Sequence, residues 1–588
     1  MLDVRSPSNA QLSPDGKQLF FTWAVTEVAQ VWRLDGPGRF PVQLTGGDDP
    51  TELVDVAPDG SFLVVSRDRN GEENPGLYLL RPGGGALEPI QHVAKARAIF
   101  QAISDDSKFV YFRANDVKAD AYVLYRTEVA TRRREVVFEQ EGLWSLAGLQ
   151  KNGHLVLSKM VGHHLDEVFD LDPATKALTP LFGQGEREGY SVDLGARDEL
   201  LVLTAKLGEF RRLYRWRAGS LEPVTPELKA DVERFLVDPT RTRITTQVNE
   251  GGFTRLKAFD AKTFKPLPVP ALPSADHVRA GESTPDGRYQ VVRLDLGTTP
   301  NVTLVLDWKK GTATPWLEAS LPELDPAQFV RPALEHYPAR DGTPIPMFVW
   351  RPKACAAPCP VVVNFHGGPE LQSRAGFNEL AQLFVGEGFV YVEPNVRGSD
   401  GFGKAWLHSD DGPKRLAVIT DIEDASRHIR AAWAKDGKAP RVGIMGESYG
   451  GYAAMLGLTM FAGAYDAVVE MVGPSNLVSF LENTAPYRRA MRISEYGDPV
   501  KDRDALLQLS PVTYVSRAQA PLLMMQGAND PRVPVSEALQ MLKALEPKGQ
   551  PNQLYVFPDE GHVMQRHSNK ALLYGHAVRW FETHLKAP

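Results

Sequence analysis

The chain of 588 residues exceeds what one hydrophobic core serves, with length for roughly three or four domains. Its 43% hydrophobic and 24% charged residues are those of an ordinary globular protein. The formal net charge is -7, from 66 Lys+Arg against 73 Asp+Glu, and no basic block is long enough to track phosphates, which removes nucleic acid from the expected partners.

The N-terminal MLDVRSPSNAQ has no apolar h-region, so no signal peptide is expected and the cytoplasm is the expected location. Turn signals followed by short strands then recur. They are SPDGKQLFFTW at Asp15, APDGSFLVVSR at Asp59, SDDSKFVYFRA at Asp106, KNGHLVLSKM at Asn152, ARDELLVLTA at Arg197, PTRTRITTQV at Thr240 and TPDGRYQVVRL at Asp286. The intervals are 44, 47, 46, 45, 43 and 46 residues, and a second, often aromatic strand follows each, from VWRLDG at Val31 to VTLVLDW at Val302. A unit of that length holds about four short antiparallel strands, the size of one propeller blade, which buries its faces only by stacking on neighbours. The expectation is an all-β seven-bladed β-propeller over residues 1–322, against the alternative of a sandwich or solenoid. The His163-His164 pair in GHHLDE reads as a polar loop.

From about residue 325 buried strands alternate with helices: PVVVNFHGG, FVYVEPNVRG, RVGIMGES, YDAVVEMV, PLLMMQGAND and QLYVFPDEGH, with stretches such as DIEDASRHIRAAWAK between them. That pattern means a mostly parallel sheet covered on both faces, so residues 323–588 are expected to form an α/β-hydrolase domain. The apolar window 453–472 carries Asp466 and Glu470 and reads as helix, turn and strand, so no membrane span is expected. Cys355 and Cys359, in KACAAPCP, are too few for a zinc site and are expected as free thiols, since cytosolic disulfides are rare.

In MGESYGGYAAM, Ser448 follows the apolar strand VGIM and precedes a helix of small residues, with Gly446 and Gly450 on either side. A sharp strand-to-helix turn puts the serine in a strained conformation, and any Cβ at 446 or 450 would meet neighbouring backbone, so Ser448 is the expected nucleophile. A plain N-cap serine would need neither glycine. The order Ser, then acid, then His is completed by Asp530, after PLLMMQG, and His562, after QLYVFPDE. Asp559 and Glu560 are rival orienters, placed on the histidine's own loop and read as solvated turn residues; His567, His576 and His584 are expected on the terminal helix. The oxyanion donors expected are the amide of Tyr449 and that of Gly368 in NFHGGPE, with Gly367 and the His366 side chain as rivals. A metal role for His366 lacks partner ligands at suitable spacing, and neither cofactor nor metal is expected.

GESYGGY, HGGPE, NVRGSDGFG, GANDPRVP and DEGH, in this order after a seven-fold repeat, resemble the prolyl oligopeptidase family of serine peptidases over essentially the whole chain. The resemblance implies cleavage of short peptides beneath a propeller that restricts access of folded proteins. It also implies that Arg532 binds the substrate carbonyl next to the specificity residue. His366, where prolyl oligopeptidases proper have a tyrosine, looks like the acylaminoacyl-peptidase and bacterial aminopeptidase branch. Dipeptidyl peptidases of the family hold the substrate amine with a propeller glutamate pair; Glu72-Glu73 in RNGEENPG is read instead as a solvated turn, which makes dipeptidyl activity the lesser reading.

The reading is a serine peptidase of short peptides, with a small-ester hydrolase and a propeller binding platform as alternatives. Residues 475–498 are expected to line the pocket, with Phe480 and Tyr487 as candidates alongside His366 and Arg532. Self-association into a homo-oligomer is left open.

Overall fold

A computed structural model describes Met1 and residues 3–586. Within each four-stranded group the N-terminal region is antiparallel. Strands Ser8–Leu12, Leu19–Trp23, Gln30–Leu34 and Val42–Gln43 pair in sequence order, and four further sheets of four consecutive strands follow, up to Ser220–Pro223. The strands from Asp231–Val237 to Thr312–Glu318 form two such groups, joined into one eight-stranded sheet by a parallel bridge between Thr254 and His277.

The repeated turn is the hairpin between the first and second strand of each group. Its chemistry is local: Ser13, Ser104 and Thr284 each donate to the aspartate two residues on, at 2.7, 2.7 and 2.6 Å. This is the side-chain turn that Ser, Thr and Asp favour over a continued strand. Between successive sheets lie apolar clusters, such as Phe20, Val31, Leu53 and Leu63 between the first and second. Leu12, Leu19 and Phe21 pack against Val291, Val305 and Leu317, so the first sheet also packs on the last. Arg5 and Ser320 exchange backbone hydrogen bonds of 3.2 Å at the same junction.

After Thr312–Glu318 and the turn Pro326–Gln328 the chain enters a second eight-stranded sheet, Ala333–Pro338 through Asn552–Phe557. In sheet order its first two pairings are antiparallel and the remaining five are parallel. Alternate residues of Val361–Phe365 explain its two cores. Val361, Val363 and Phe365 face helices Asp421–Ala432, Tyr449–Leu458 and Ser536–Leu545. Val362 faces Glu379–Gly386 and His567–Phe581. Both faces are thus covered, as near-continuous apolar strands require.

The window 453–472 is divided between helix Tyr449–Leu458 and strand Ala467–Met471, and no helix among the described residues is long and apolar enough to cross a membrane. The cysteines correct the expectation of free thiols. The exposed loop between Pro344–Trp350 and Val361–Phe365 turns back on itself, leaving the Cα atoms of Cys355 and Cys359 5.6 Å apart, and the two are joined in a disulfide.

Candidate active site

Strand Val442–Glu447 ends in Ser448, which has φ 61° and ψ -116° and is followed at once by helix Tyr449–Leu458. A positive φ at a residue with a side chain costs energy and persists only where the surroundings dictate it. Here the helix lies so close to the neighbouring strand that a methyl at Gly450 would overlap the Phe365 carbonyl oxygen, and one at Gly446 would overlap Gly450 itself. The turn is fixed by an amide bond from Ser448 to the Met471 carbonyl, 2.9 Å long. Glycine at both positions is what the corner demands.

The Tyr449 amide is the first of its helix and has no acceptor within it. The glycine loop after Val361–Phe365 comes up alongside: a methyl on Gly367 would sit 3.5 Å from Ser448 Cβ. Gly368, at φ 120°, donates its amide to no group among the described residues. Its carbonyl accepts Arg492 Nη1 at 3.0 Å, and Arg492 is itself paired with Glu370 at 3.3 Å. His163 Nε2 lies 2.9 Å from the same carboxylate without hydrogen-bond geometry, so this histidine, expected on a polar loop, instead packs against the glycine loop from the N-terminal region. Burial pushes its pKa down to about 4, so it stands there neutral at pH 7.

His366 is a correction. Its Nδ1 contacts the Gly367 carbonyl and its Nε2 the Ser399 hydroxyl, both at 2.8 Å. With both ring nitrogens engaged, the side chain is a brace for the loop and not a free donor to an oxyanion or substrate. Burial lowers its pKa and keeps it neutral.

Asp530 and His562 lie past the ends of the adjacent parallel strands Leu522–Gly527 and Asn552–Phe557. Asp530 Oδ1 accepts the amides of Arg532 and Val533 at 2.8 and 2.9 Å, while Oδ2 faces His562 Nδ1 at 2.7 Å. A carboxylate at Nδ1 holds the neutral ring in the tautomer whose Nε2 carries a lone pair. The rival acids are committed elsewhere. Glu560, only 1% exposed and not a solvated turn residue, accepts the amides of Gln565 and Arg566 at 2.8 and 2.9 Å. Asp559 pairs with Arg566 at 2.7 Å. His576 stacks on Tyr555 and His584 meets Trp580 edge-on, as packing residues of the terminal segment.

Convergence of these segments is visible at Glu447, beside Ser448. Burial raises its carboxyl pKa, opposed by the charges of His562 and Arg532 and reinforced by that of Asp530. All four side chains share one low-dielectric neighbourhood at the carboxyl edge of the sheet, where this architecture collects ligands.

Sequence reasoning missed Glu73. Rather than lying in a solvated turn, its carboxylate is 11% exposed and pairs with Arg532 Nε, at 2.7 Å to Oε1 and 2.8 Å to Oε2. Asn529 Nδ2 donates to the Asn70 carbonyl at 2.9 Å, and a methyl on Gly561 would overlap the Gly71 carbonyl oxygen. The loop that carries Glu73 is therefore seated on the loop that carries His562. Nothing in RNGEENPG marks this contact, since its partner lies 459 residues away. Arg415, wholly buried, is a second such residue: it pairs with Asp410 at 2.9 Å and Glu495 at 2.5 Å beneath the rings of Tyr449 and Tyr496.

The two pocket candidates are placed differently from each other. Phe480 is 4% exposed and packs edge-on against Tyr496, 5.5 Å between centroids, which makes it a core residue and not open pocket lining. Tyr487 packs against Tyr122 and Leu143 of the N-terminal sheets with Arg97 4.5 Å above its ring. Its hydroxyl is buried without a partner among the described residues. It belongs to the junction of the two regions.

Residues 375–588 match the prolyl oligopeptidase family. The chain is 27% identical over 600 residues to dipeptidyl aminopeptidase BIII of Pseudoxanthomonas mexicana, covering 96% of this chain and 84% of that protein. Dipeptidyl peptidase family member 6 of Caenorhabditis elegans is 35% identical over 229 residues, a match covering 38% of this chain and 30% of the relative. A solved structure from a study of two prolyl endopeptidases has the same fold, with a TM-score of 0.87 over 100% of this chain and 90% of that one at 19% identity. The chain is a serine-type peptidase, and its residues 375–588 carry the prolyl oligopeptidase match.

Proposed function

We propose that the chain releases short N-terminal segments from peptides that carry a free amino group, beneath a seven-bladed β-propeller formed by residues 1–322. Residues 323–588 form the hydrolase domain. Ser448 is the nucleophile, His562 its general base and Asp530 the group that orients the base. As the Ser448 hydroxyl attacks the scissile carbonyl, His562 Nε2 takes its proton, and the tetrahedral oxyanion is held by the amides of Tyr449 and Gly368. The proton passes to the leaving amine, and water then repeats the sequence in reverse to free the acyl group.

The observation that carries the free-amine reading is Glu73 against Arg532. The pair borders a cavity of about 430 Å³ that also holds Glu52, Asp68 and Arg97. The Asp68 carboxyl is raised by burial, against backbone amides that lower it, and further by Glu73, while the exposed Glu52 is pushed up by partial desolvation and then by the charge of Asp68. An ammonium group relieves that mutual repulsion, whereas an acetylated amine does not. Arg532 remains the donor to a substrate carbonyl, positioned by the same Glu73. The similarity to a dipeptidyl aminopeptidase over 96% of the chain supports the same reading and favours what was the lesser, dipeptidyl reading.

The test compares a dipeptidyl p-nitroanilide with its N-acetylated form on the wild-type chain and on Glu73→Gln. The wild type is expected to favour the free amine and Glu73→Gln to lose about 10- to 100-fold of that preference, the worth of a charge-assisted hydrogen bond. Preference for the acetylated substrate would return the assignment to the acylaminoacyl branch.

A further inference from the structure

On the other side of the glycine loop, a second cavity of about 490 Å³ lies between the last N-terminal strands and the hydrolase sheet. Its wall includes His277, Arg279, Asp295, His366, Arg374 and Tyr574. Three features give it a distinct chemistry.

The first is an unanswered donor. His277 is 1% exposed, and its Nδ1 accepts the Thr254 amide at 3.2 Å. Nδ1 also lies 3.1 Å from the Thr254 hydroxyl, and the buried Nε2 has no partner among the described residues. Burial first, and then the charges of Arg279, Arg374, Arg255 and Arg293, push the His277 pKa down to about 3, so the ring is neutral; in the tautomer with its proton on Nε2 it offers an unanswered donor.

The second is surplus positive charge. Arg374 is paired with Glu233 at 2.6 Å, but Arg279 and Arg293 make no hydrogen bond or ion pair among the described residues. Burial and their neighbours' like charge make both guanidinium groups costly to hold: Arg293 and Arg374 act on Arg279, and burial dominates at Arg293. Glu233, already paired with Arg374, and Asp295 are the carboxylates that act on Arg279, and Asp295 Oδ1 is taken by the Phe377 amide at 2.7 Å. On the opposite wall burial raises Glu379 and Glu393 to about 7, which weakens their charge. Unpaired, partly buried guanidinium groups beside an orphan N–H are arranged for an anion.

The third is position. The Glu73 side of the site belongs to the second N-terminal sheet, whereas this cavity faces the strands His277–Ser283 and Tyr289–Leu296 of the last group. His366 borders it and is followed by Gly367, which abuts Ser448. A peptide whose amino end is held at Glu73 and whose scissile bond lies at Ser448 would pass Gly367 and reach this cavity with its carboxyl end.

We propose that this cavity is a carboxylate subsite, in which Arg279, supported by Arg293 and the Nε2–H of His277, binds a carboxylate on the leaving-group segment of the peptide. The inference rests on the peptidase reading above for the direction in which the peptide lies. It makes the enzyme a selector of peptides by both ends.

The experiment is calorimetric binding of three probes to the wild-type chain and to Ser448→Ala. The probes are tetra-alanine as free acid, tetra-alanine carboxamide, and Ala-Ala-Asp-Ala carboxamide. The acid is expected to bind Ser448→Ala at least about tenfold more tightly than the carboxamide. Arg279→Gln in the same background is expected to bring that ratio to within about twofold of unity, with Arg279→Lys retaining part of it. Tight binding of the aspartyl carboxamide assigns the site to an acidic side chain; weak binding assigns it to the terminal carboxylate. Equal binding of all three overturns the proposal, as does a ratio unchanged in a folded Arg279→Gln. Should that variant fail to fold, the acid-to-amide ratio of Ser448→Ala decides by itself. Because binding needs no turnover, absence of hydrolysis by the wild type would count against the peptidase reading alone.

Discussion

Replacing Asp530 by Asn isolates what one proton position is worth. The side chain is fully buried: Oδ1 receives the amides of Arg532 and Val533, and Oδ2 faces His562 Nδ1 at 2.7 Å and accepts a longer contact from Gln526 Nε2 at 3.3 Å, which an amide group would lose. An asparagine keeps the Oδ1 contacts by leaving its oxygen toward the two amides, so the loop and the histidine stay where they are. Its NH2 group then points at Nδ1, which becomes the acceptor, and the ring proton moves to Nε2. The lone pair that would take the Ser448 proton is gone. Loss of the correct tautomer costs about 10⁴-fold in turnover, or about 5.4 kcal/mol at 1.36 kcal/mol per decade. The assay is kcat/KM on a dipeptidyl p-nitroanilide, with thermal denaturation to show that the variant is folded. A folded Asp530→Asn within about tenfold of wild type would refute the assignment and leave Asp559 or Glu560 as the orienting group.

Two further predictions concern the scaffold. Gly450→Ala drives a methyl into the Phe365 carbonyl with backbone on both sides, so a loss of about 1–3 kcal/mol or more in stability is expected, read by urea denaturation; an unchanged midpoint would contradict the close approach of helix and strand. Glu470, wholly buried on the strand next to Ser448, accepts the Gly473 amide, and burial pushes its carboxyl up from 4.5 to about 8. The folded chain therefore holds a proton that the unfolded chain releases. This contribution is fully present below about pH 4.5 and is lost as pH rises through about 8, by at most about 1.4 kcal/mol per pH unit. Glu470→Gln is expected to flatten the fall of stability across that window, measured by denaturation at pH 5 to 9, and an unchanged slope would show that the carboxyl is not held neutral.

Much of this organisation was legible in the sequence because its causes are local. The turns at Asp15, Asp106 and Asp286 are built from a hydroxyl two residues before an acid, and the corner at Ser448 from two glycines within the same six residues. Asp530 and His562 could be read because each lies just beyond an apolar strand. What stayed hidden depends on packing between distant segments. Glu73 looks like any solvated turn acid until its loop is laid against Gly561, and Phe480 like any exposed aromatic until Tyr496 covers it. His366 offered two nitrogens in the sequence, and only folding brings Ser399 to one of them. The Cys355–Cys359 pairing was set against compartment statistics, whereas the turn of the loop decides it.

The central claim is that Ser448 is the activated nucleophile of this fold, and covalent capture tests it most directly. Wild-type protein treated with a fluorophosphonate is expected to carry a single adduct, mapped by peptide mass spectrometry to Ser448 and abolished in a folded Ser448→Ala. An adduct mapped to any other serine, or undiminished labelling of Ser448→Ala, would contradict it.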